Sequence, residues 1–383
     1  MSVTKAISEN ITSLDAAKLT GTLPAMSGAA LTNLPAPIKS ANDPTISTNP
    51  SGGVGTLWAN TTSGEMFACT DATAGENVWI NVGSGSGDVQ PWNGNGTIAG
   101  YASGGWPPNT DTIQKFSFTS DANATDVGNL TQARQYVVGH SSFTHGYASC
   151  GSNGGDGLPN QFNIIDKWTF ASDANATDVG DSTQTRYAPN GQSSSTHGYT
   201  SGGYSTTFHN VIDKFPFASN ANATDVGDNT AARHAGCGNF SKTHGYNNGG
   251  HTGSYSNIID KFTFASNANA TDVGDMTSAR TGTAGCQSAS YGYVCGGQTP
   301  TAVNVIEKFS FASDGNATDV ADLVGTRPNI SGSSSTTHGY VFGGVASPVN
   351  NDAIDKFSFA SNANATTAAD LFSLATNSAG SQY

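Results

Sequence analysis

From residue 89 onward, apolar positions fall in short alternating runs separated by stretches rich in Gly, Ser, Asn and Thr, with no sustained helical period. The clearest run is Ile-Asp-Lys-Phe-x-Phe, whose period of two marks a half-buried strand. Its Lys-aromatic-x-Phe core recurs at Lys115, Lys167, Lys214, Lys261, Lys308 and Lys356, with spacings of 52, 47, 47, 47 and 48 residues. Each copy opens with Gly-Tyr-x-x-x-Gly, as at Gly198 to Gly203 and Gly339 to Gly344. A loop follows, then the alternating run, then Ser-Asp/Asn-Ala-Asn-Ala-Thr-Asp-Val, whose turn formers lead into another strand. An Arg comes next, a Gly five residues after it (Gly139, Gly191, Gly238, Gly285 and Gly332), and then Thr-His-Gly-Tyr in most copies.

Four strand-sized segments in about 47 residues match one propeller blade. The reading is an all-β chain: a six-bladed β-propeller over 89–383, preceded by an extended N-terminal segment (1–48) and a small β-module with linker (49–88). Alignment puts Ala375 at the Arg position and Gly380 at the recurrent Gly, so the last residues read as a first strand without its second. The opening Gly100-Tyr101 is a second strand without a first. Pairing the two would leave no open edge at the seam.

Composition changes this picture little. The 18 Phe, 12 Tyr and 5 Trp residues recur at fixed offsets, so abundant small residues signal tight turns rather than disorder. A net charge of −13 with no basic run disfavours nucleic acid as a partner. Cys69, Cys150, Cys237, Cys286 and Cys295 lack metal-site or disulfide spacing and read as small buried hydrophobes. No apolar leader and no 18-residue apolar run are present, so a soluble protein without membrane insertion is expected.

Five arginines, Arg134, Arg186, Arg233, Arg280 and Arg327, share one repeat position. Asp126, Asp178, Asp225, Asp272 and Asp319 lie eight residues before them, and the sixth copy has Thr367 and Ala375 instead. The joint loss predicts five bidentate Arg–Asp structural pairs, because one partner alone would strand a charge. An anion-binding ring of arginines is the alternative.

The order from Arg327 through Gly-Tyr-Val-Phe-Gly-Gly to Ile-Asp-Lys-Phe resembles the kelch repeat over about 290 residues. Asp-Val stands where that family has a fourth-strand Trp, and Cys150 replaces one first Gly, so the likeness is to kelch-like propellers. Leu14-Asp-Ala-Ala-Lys18-Leu-Thr-Gly-Thr-Leu-Pro24 and Gly28-Ala-Ala-Leu-Thr-Asn-Leu34-Pro resemble repeats of bacteriophage tail fibres. Residues 55–65 with 77–83 resemble a small β-module of phage tail proteins. The resemblance implies a virion tail fibre or similar appendage made in the host cytoplasm. It further implies a homotrimer docked on other virion proteins through its N-terminus and meeting a host-surface receptor. A structural or decoration protein contacting only virion partners is the competing reading.

Alternate turns of a four-stranded antiparallel blade emerge on opposite faces. The loops between second and third strands vary in length and chemistry on a uniform scaffold, which marks them for recognition. Trp106, Tyr204, Phe208, His251 and Tyr255 are the candidate contacts, suited to a glycan. His145, His197, His244 and His338, with Tyr291 in the fifth unit, recur at one position and read as structural. The Asp121-x-Asn123 pattern only faintly resembles a calcium loop and reads as an Asx-turn, and the Asn-Ala-Thr sequon carries no weight. No asymmetric catalytic constellation stands out, so neither an enzyme, a metal nor a cofactor is expected.

Overall fold

The structure is a computed structural model that describes residues 36–82, 94–154, 160–346 and 349–383. Most of the expected attachment segment, residues 1–35, and most of the linker lie outside the described residues. The chain divides into two compact units, Met1–Pro91 and Trp92–Tyr383, and every described regular element is a β-strand.

In the first unit, β1 (Ile38–Ser40) pairs parallel with β2 (Leu57–Asn60), which continues antiparallel to β3 (Met66–Asp71) and β4 (Val78–Asn81). Phe67, Cys69 and Trp79 form its core, with Trp58 edge-on to Trp79 at 5.8 Å. Because β1 belongs to this sheet, the module begins about ten residues before the boundary expected at 49. The buried Asn77 ties its loops together by donating to Ile46 O and Asn49 Oδ1.

Among the described residues, the second unit contains six four-stranded antiparallel sheets, an arrangement compatible with a β-propeller. In the third sheet, Asn190–Ser193, His197–Ser201, Val211–Pro216 and Thr224–Asp228 pair in chain order. The second, fourth, fifth and sixth sheets begin with Val138–Ser141, Cys237–Phe240, Ala284–Gln287 and Ser331–Ser334. The first sheet takes its first strand from the other end of the chain: Ala379–Gln382 pairs with Ala99–Ser103, setting Gly380 opposite Ala102 and Ser381 opposite Tyr101. That is the seam expected from alignment.

Six apolar clusters each join two consecutive sheets, including the sixth with the first through Tyr340, Phe342, Ala102 and Phe116. A second-strand Tyr stacks on the Phe just after the third strand of the next sheet at every junction, from Tyr147–Phe217 (4.8 Å) to Tyr340–Phe118 (4.7 Å). The Gly before this Tyr is required because a Cβ there would collide with the Phe or Trp ring of the neighbouring third strand. At the first strands, a Cβ on Gly139, Gly191, Gly238, Gly285, Gly332 or Gly380 would meet the carbonyl of the preceding Gly in that series, Gly380 preceding Gly139. Only glycine permits such close backbone approach.

The recurrent Asn-Ala-Thr stitches the outer strands together. Asn222 Oδ1 accepts from the Asp181 amide (3.1 Å) of the previous sheet, and the Ala223 amide donates to Asp181 O (2.7 Å). The same bond recurs at all six junctions, with Asn123 accepting from Asp370. These Asn side chains therefore reach across sheets rather than closing their own turns. Asp121 and Asp173 pair with Lys356 (2.5 Å) and Lys115 (3.2 Å), and Asp314 pairs with Lys261.

The arginines do not pair as expected. Arg134, Arg186, Arg233, Arg280 and Arg327 contact Asp166, Asp213, Asp260, Glu307 and Asp355, the acidic residues of the Ile-Asp/Glu-Lys strand that follows each arginine. The third strand pairs with the second without a break, so Ile165 and Asp166 face opposite sides of the sheet; Ile165 packs toward the next sheet, Asp166 meets Arg134, and both are buried. Asp126, Asp178, Asp225, Asp272 and Asp319 are exposed, and the first four cap their own strand by accepting from a Gly amide two residues on. Nor are the pairs bidentate. Of the two Asp166 oxygens, Arg134 Nη1 donates to Oδ2 (2.9 Å), and Thr131 Oγ1 donates to Oδ1 (2.7 Å). The compensating loss opposite Ala375 is Gln114, not Thr367: Gln114 Oε1 accepts from the Ser373 amide (3.0 Å), doing for a neutral pair what Asp166 does for Thr131.

Candidate recognition face

Each chain connection entering a sheet lies beside that sheet's loop between second and third strands, held by a short antiparallel backbone bridge. Tyr187 and Tyr204 exchange amide–carbonyl bonds of 3.0 Å in both directions. His234 with His251, Thr281 with Gln298, Gln135 with Ser152 and Thr376 with Trp106 repeat the bridge. In the sixth sheet Pro328 lacks an amide donor, and its carbonyl alone accepts from Val345 (3.0 Å). Backbone geometry is thus conserved around this face while the side chains on it change from copy to copy. Residues 155–159 of the longest loop lie outside the described residues.

Nearer the centre, Tyr136, Ala188, Ala235, Gly282, Asn329 and Asn377 all take left-handed φ values, from 50° to 66°. For the five residues other than Gly282 this costs about 1–2 kcal/mol each, so surrounding contacts must hold them there. A ring of backbone bonds does so. Ala188 donates to Tyr136 O, Ala235 to Ala188 O, Gly282 to Ala235 O, Asn329 to Gly282 O and Asn377 to Asn329 O, at 2.6–3.0 Å. Val137 donates to Asn377 O at 3.4 Å and completes the circuit. Inside it lies a cavity of about 130 Å³ whose floor is the ring of first-strand glycines.

The opposite face is where the chain enters. Gly94 O accepts from Gln382 Nε2 (2.6 Å), and Gly96 donates to Ser334 O (2.8 Å). Its turns vary little: Thr144, Thr196, Thr243 and Thr337 each place Oγ1 2.8 Å from Nδ1 of the following His. These four are His145, His197, His244 and His338. In the fifth sheet Lys308 lies over the Tyr291 ring instead.

On the variable face, four of the five expected contacts come together. Tyr204 meets Phe208 at 5.0 Å, Phe208 meets His251 at 5.9 Å, and His251 meets Tyr255 at 5.7 Å. Trp106, 42% exposed, belongs to the first sheet's loop and stands outside this chain of rings. Three further rings complete it: Tyr187 against Tyr204 (5.6 Å), His234 against Tyr204 and Phe208 (both 5.5 Å), and Tyr136 against Tyr187 (5.2 Å). The result is a crescent of seven half-buried aromatic and imidazole rings spanning the second to fourth sheets. Tyr187 and His234 were not singled out from sequence, although their position, one residue after the conserved Arg, varies as freely as the loops.

Burial, aided by the neighbouring His251, holds His234 down to about 4, so this imidazole is neutral at physiological pH. Among the described residues no group of three or more His, Cys, Asp or Glu side chains could hold a metal ion. All five cysteines are buried free thiols. No known protein-family model matches this chain, and no curated protein is similar to it.

Proposed function

We propose that residues 94–383 form a closed, six-bladed, kelch-like β-propeller that binds a host-surface receptor through its variable face, as part of a bacteriophage tail fibre or similar virion appendage. The observation that carries this reading is the division of labour between the faces. One receives the incoming chain and repeats nearly the same turn in every copy. The other holds a uniform backbone ladder while its side chains diverge, as a recognition surface on a rigid scaffold does. Support for ring closure comes from the seam pairing of Ala379–Gln382 with Ala99–Ser103 and from inter-sheet bonds that recur at six junctions. The virion assignment rests on the N-terminal resemblance, as does a homotrimer attached through the N-terminus, in which three copies would raise a weak single-site affinity by avidity.

The test is adsorption of the labelled full chain to a panel of bacterial strains. Binding should be saturable, and a variant with Trp106, Tyr204, Phe208, His251 and Tyr255 all replaced by Ala should lose most of it. Undiminished adsorption by that variant would remove the variable face from the reading. Absence of adsorption, together with association to purified virions, would favour a purely structural fibre or decoration protein.

A further inference from the structure

We propose that the crescent and the axial cavity together form one binding site for an uncharged saccharide chain, which deepens the receptor reading and rests on it. Charge is the first argument. The loops and connections of the variable face contain no lysine at all. Their five arginines, Arg134 to Arg327, are at most 2% exposed and are occupied by buried acidic partners. Five of the six third-strand lysines, Lys115, Lys214, Lys261, Lys308 and Lys356, reach the other way and bond to Asp or Asn in turns of the opposite face, and Lys167 lies over the Tyr147 ring. A sialic acid, uronic acid or phosphate would find no free cation here. The crescent also carries no carboxylate that would draw a cationic ligand.

Surface chemistry is the second argument. Seven rings in contact offer a half-buried aromatic platform, and the C–H faces of a pyranose are the apolar surfaces such rings accept. Hydroxyls stand beside it: Ser205 Oγ bonds His209 Nε2 (2.7 Å), and Thr252 is partly exposed next to His251. The third argument is the cavity. Tyr136 belongs to both features, packing against Tyr187 and lining the cavity. At about 130 Å³ the cavity is well below the 300–1,000 Å³ of a drug-sized pocket, so it admits one terminal unit while the next lie along the rings.

The experiment measures binding of the full chain to arrayed neutral and acidic bacterial polysaccharides, with Kd values for the strongest ligand. Neutral polymers should be bound and acidic ones passed over. Tyr204→Ala and, independently, Tyr255→Ala should each weaken Kd by about tenfold or more, whereas Tyr204→Phe, which keeps the ring, and Tyr291→Ala, on the opposite face, should stay within about threefold. Using two separate rings keeps the test decisive if one variant folds poorly. Binding confined to charged polymers, or Kd values indifferent to both Ala variants, would overturn the proposal. Adsorption to cells that survives removal of surface glycans but not protease treatment would overturn it too, while leaving the receptor reading intact. Failure to adsorb to any cell would instead count against that reading.

Discussion

Removing one member of a buried ion pair should be far worse than removing both, and this protein contains its own example of the second case. Arg233 and Asp260 are fully buried, with Arg233 Nη2 at 2.9 Å from Asp260 Oδ2 and 2.8 Å from Asn247 O. Asp260 also accepts from the Thr230 amide at 3.0 Å and from the Thr230 hydroxyl at 2.6 Å. In Arg233→Ala those two neutral donors remain, but the buried carboxylate loses its cationic partner. Uncompensated buried charges of this kind cost about 3–5 kcal/mol. The double variant Arg233→Ala/Asp260→Gln reproduces the Ala375–Gln114 arrangement of the seam, where Gln114 both accepts from and donates to the Ser373 backbone at 3.0 and 3.3 Å. It leaves the Asn247 carbonyl short of one donor, a loss of about 1–2 kcal/mol. The double variant should therefore be more stable than the single by about 2 kcal/mol. Urea unfolding followed by circular dichroism would measure both, with the wild type and Asp260→Gln completing a double-mutant cycle. A double variant no more stable than Arg233→Ala would refute the reasoning, since the charge would then not be what makes the single loss costly.

Two further outcomes follow from buried groups. His140 is held down to about 4 by burial, so the unfolded chain takes up its proton near 6.5 while the folded chain resists until about 4. Its contribution is complete above pH 6.5 and is lost as pH falls from there to about 4, by roughly 3 kcal/mol. His140→Gln, which copies the side chain at Gln192, should flatten that part of the stability profile; urea midpoints at pH 7 and 4.5 that fall as steeply as in wild type would contradict this. Gly238→Ala forces a methyl into Gly191 O and should cost more than about 3 kcal/mol, whereas Gly325→Ala, with open space around it, should be neutral or stabilising by up to about 1 kcal/mol. Thermal denaturation of the two variants side by side reads the contrast, and equal melting temperatures would count against the close backbone approach at the first strands.

Much of the architecture was legible because one strand pattern recurs six times. A period of two in Ile-Asp-Lys-Phe-x-Phe, glycines at fixed offsets and turn formers between them are local signals, and their repetition exposes four strands per copy. Even the seam was readable, since Gly380 aligns with the other first-strand glycines and Gly100-Tyr101 lacks a partner before it. The likeness among copies also directed attention to the loops that break it, and four of the five contacts chosen there converge.

Other features depend on which residues meet in space. Asp126 and Asp166 are equally plausible partners for Arg134 by composition; Asp166 lies on the inner third strand of its sheet and is buried against Arg134, whereas Asp126 lies on an edge strand in solvent. Tyr187 and His234 look like ordinary connection residues until the bridges to Tyr204 and His251 bring two separate stretches of each copy onto one surface. The ring of left-handed residues from Tyr136 to Asn377 has no shared side chain by which sequence could announce it, because backbone amides and carbonyls make it. Local pattern thus determined the strands and their number. Tertiary packing, which brings separate stretches of each copy together, decided the charge partners and the crescent.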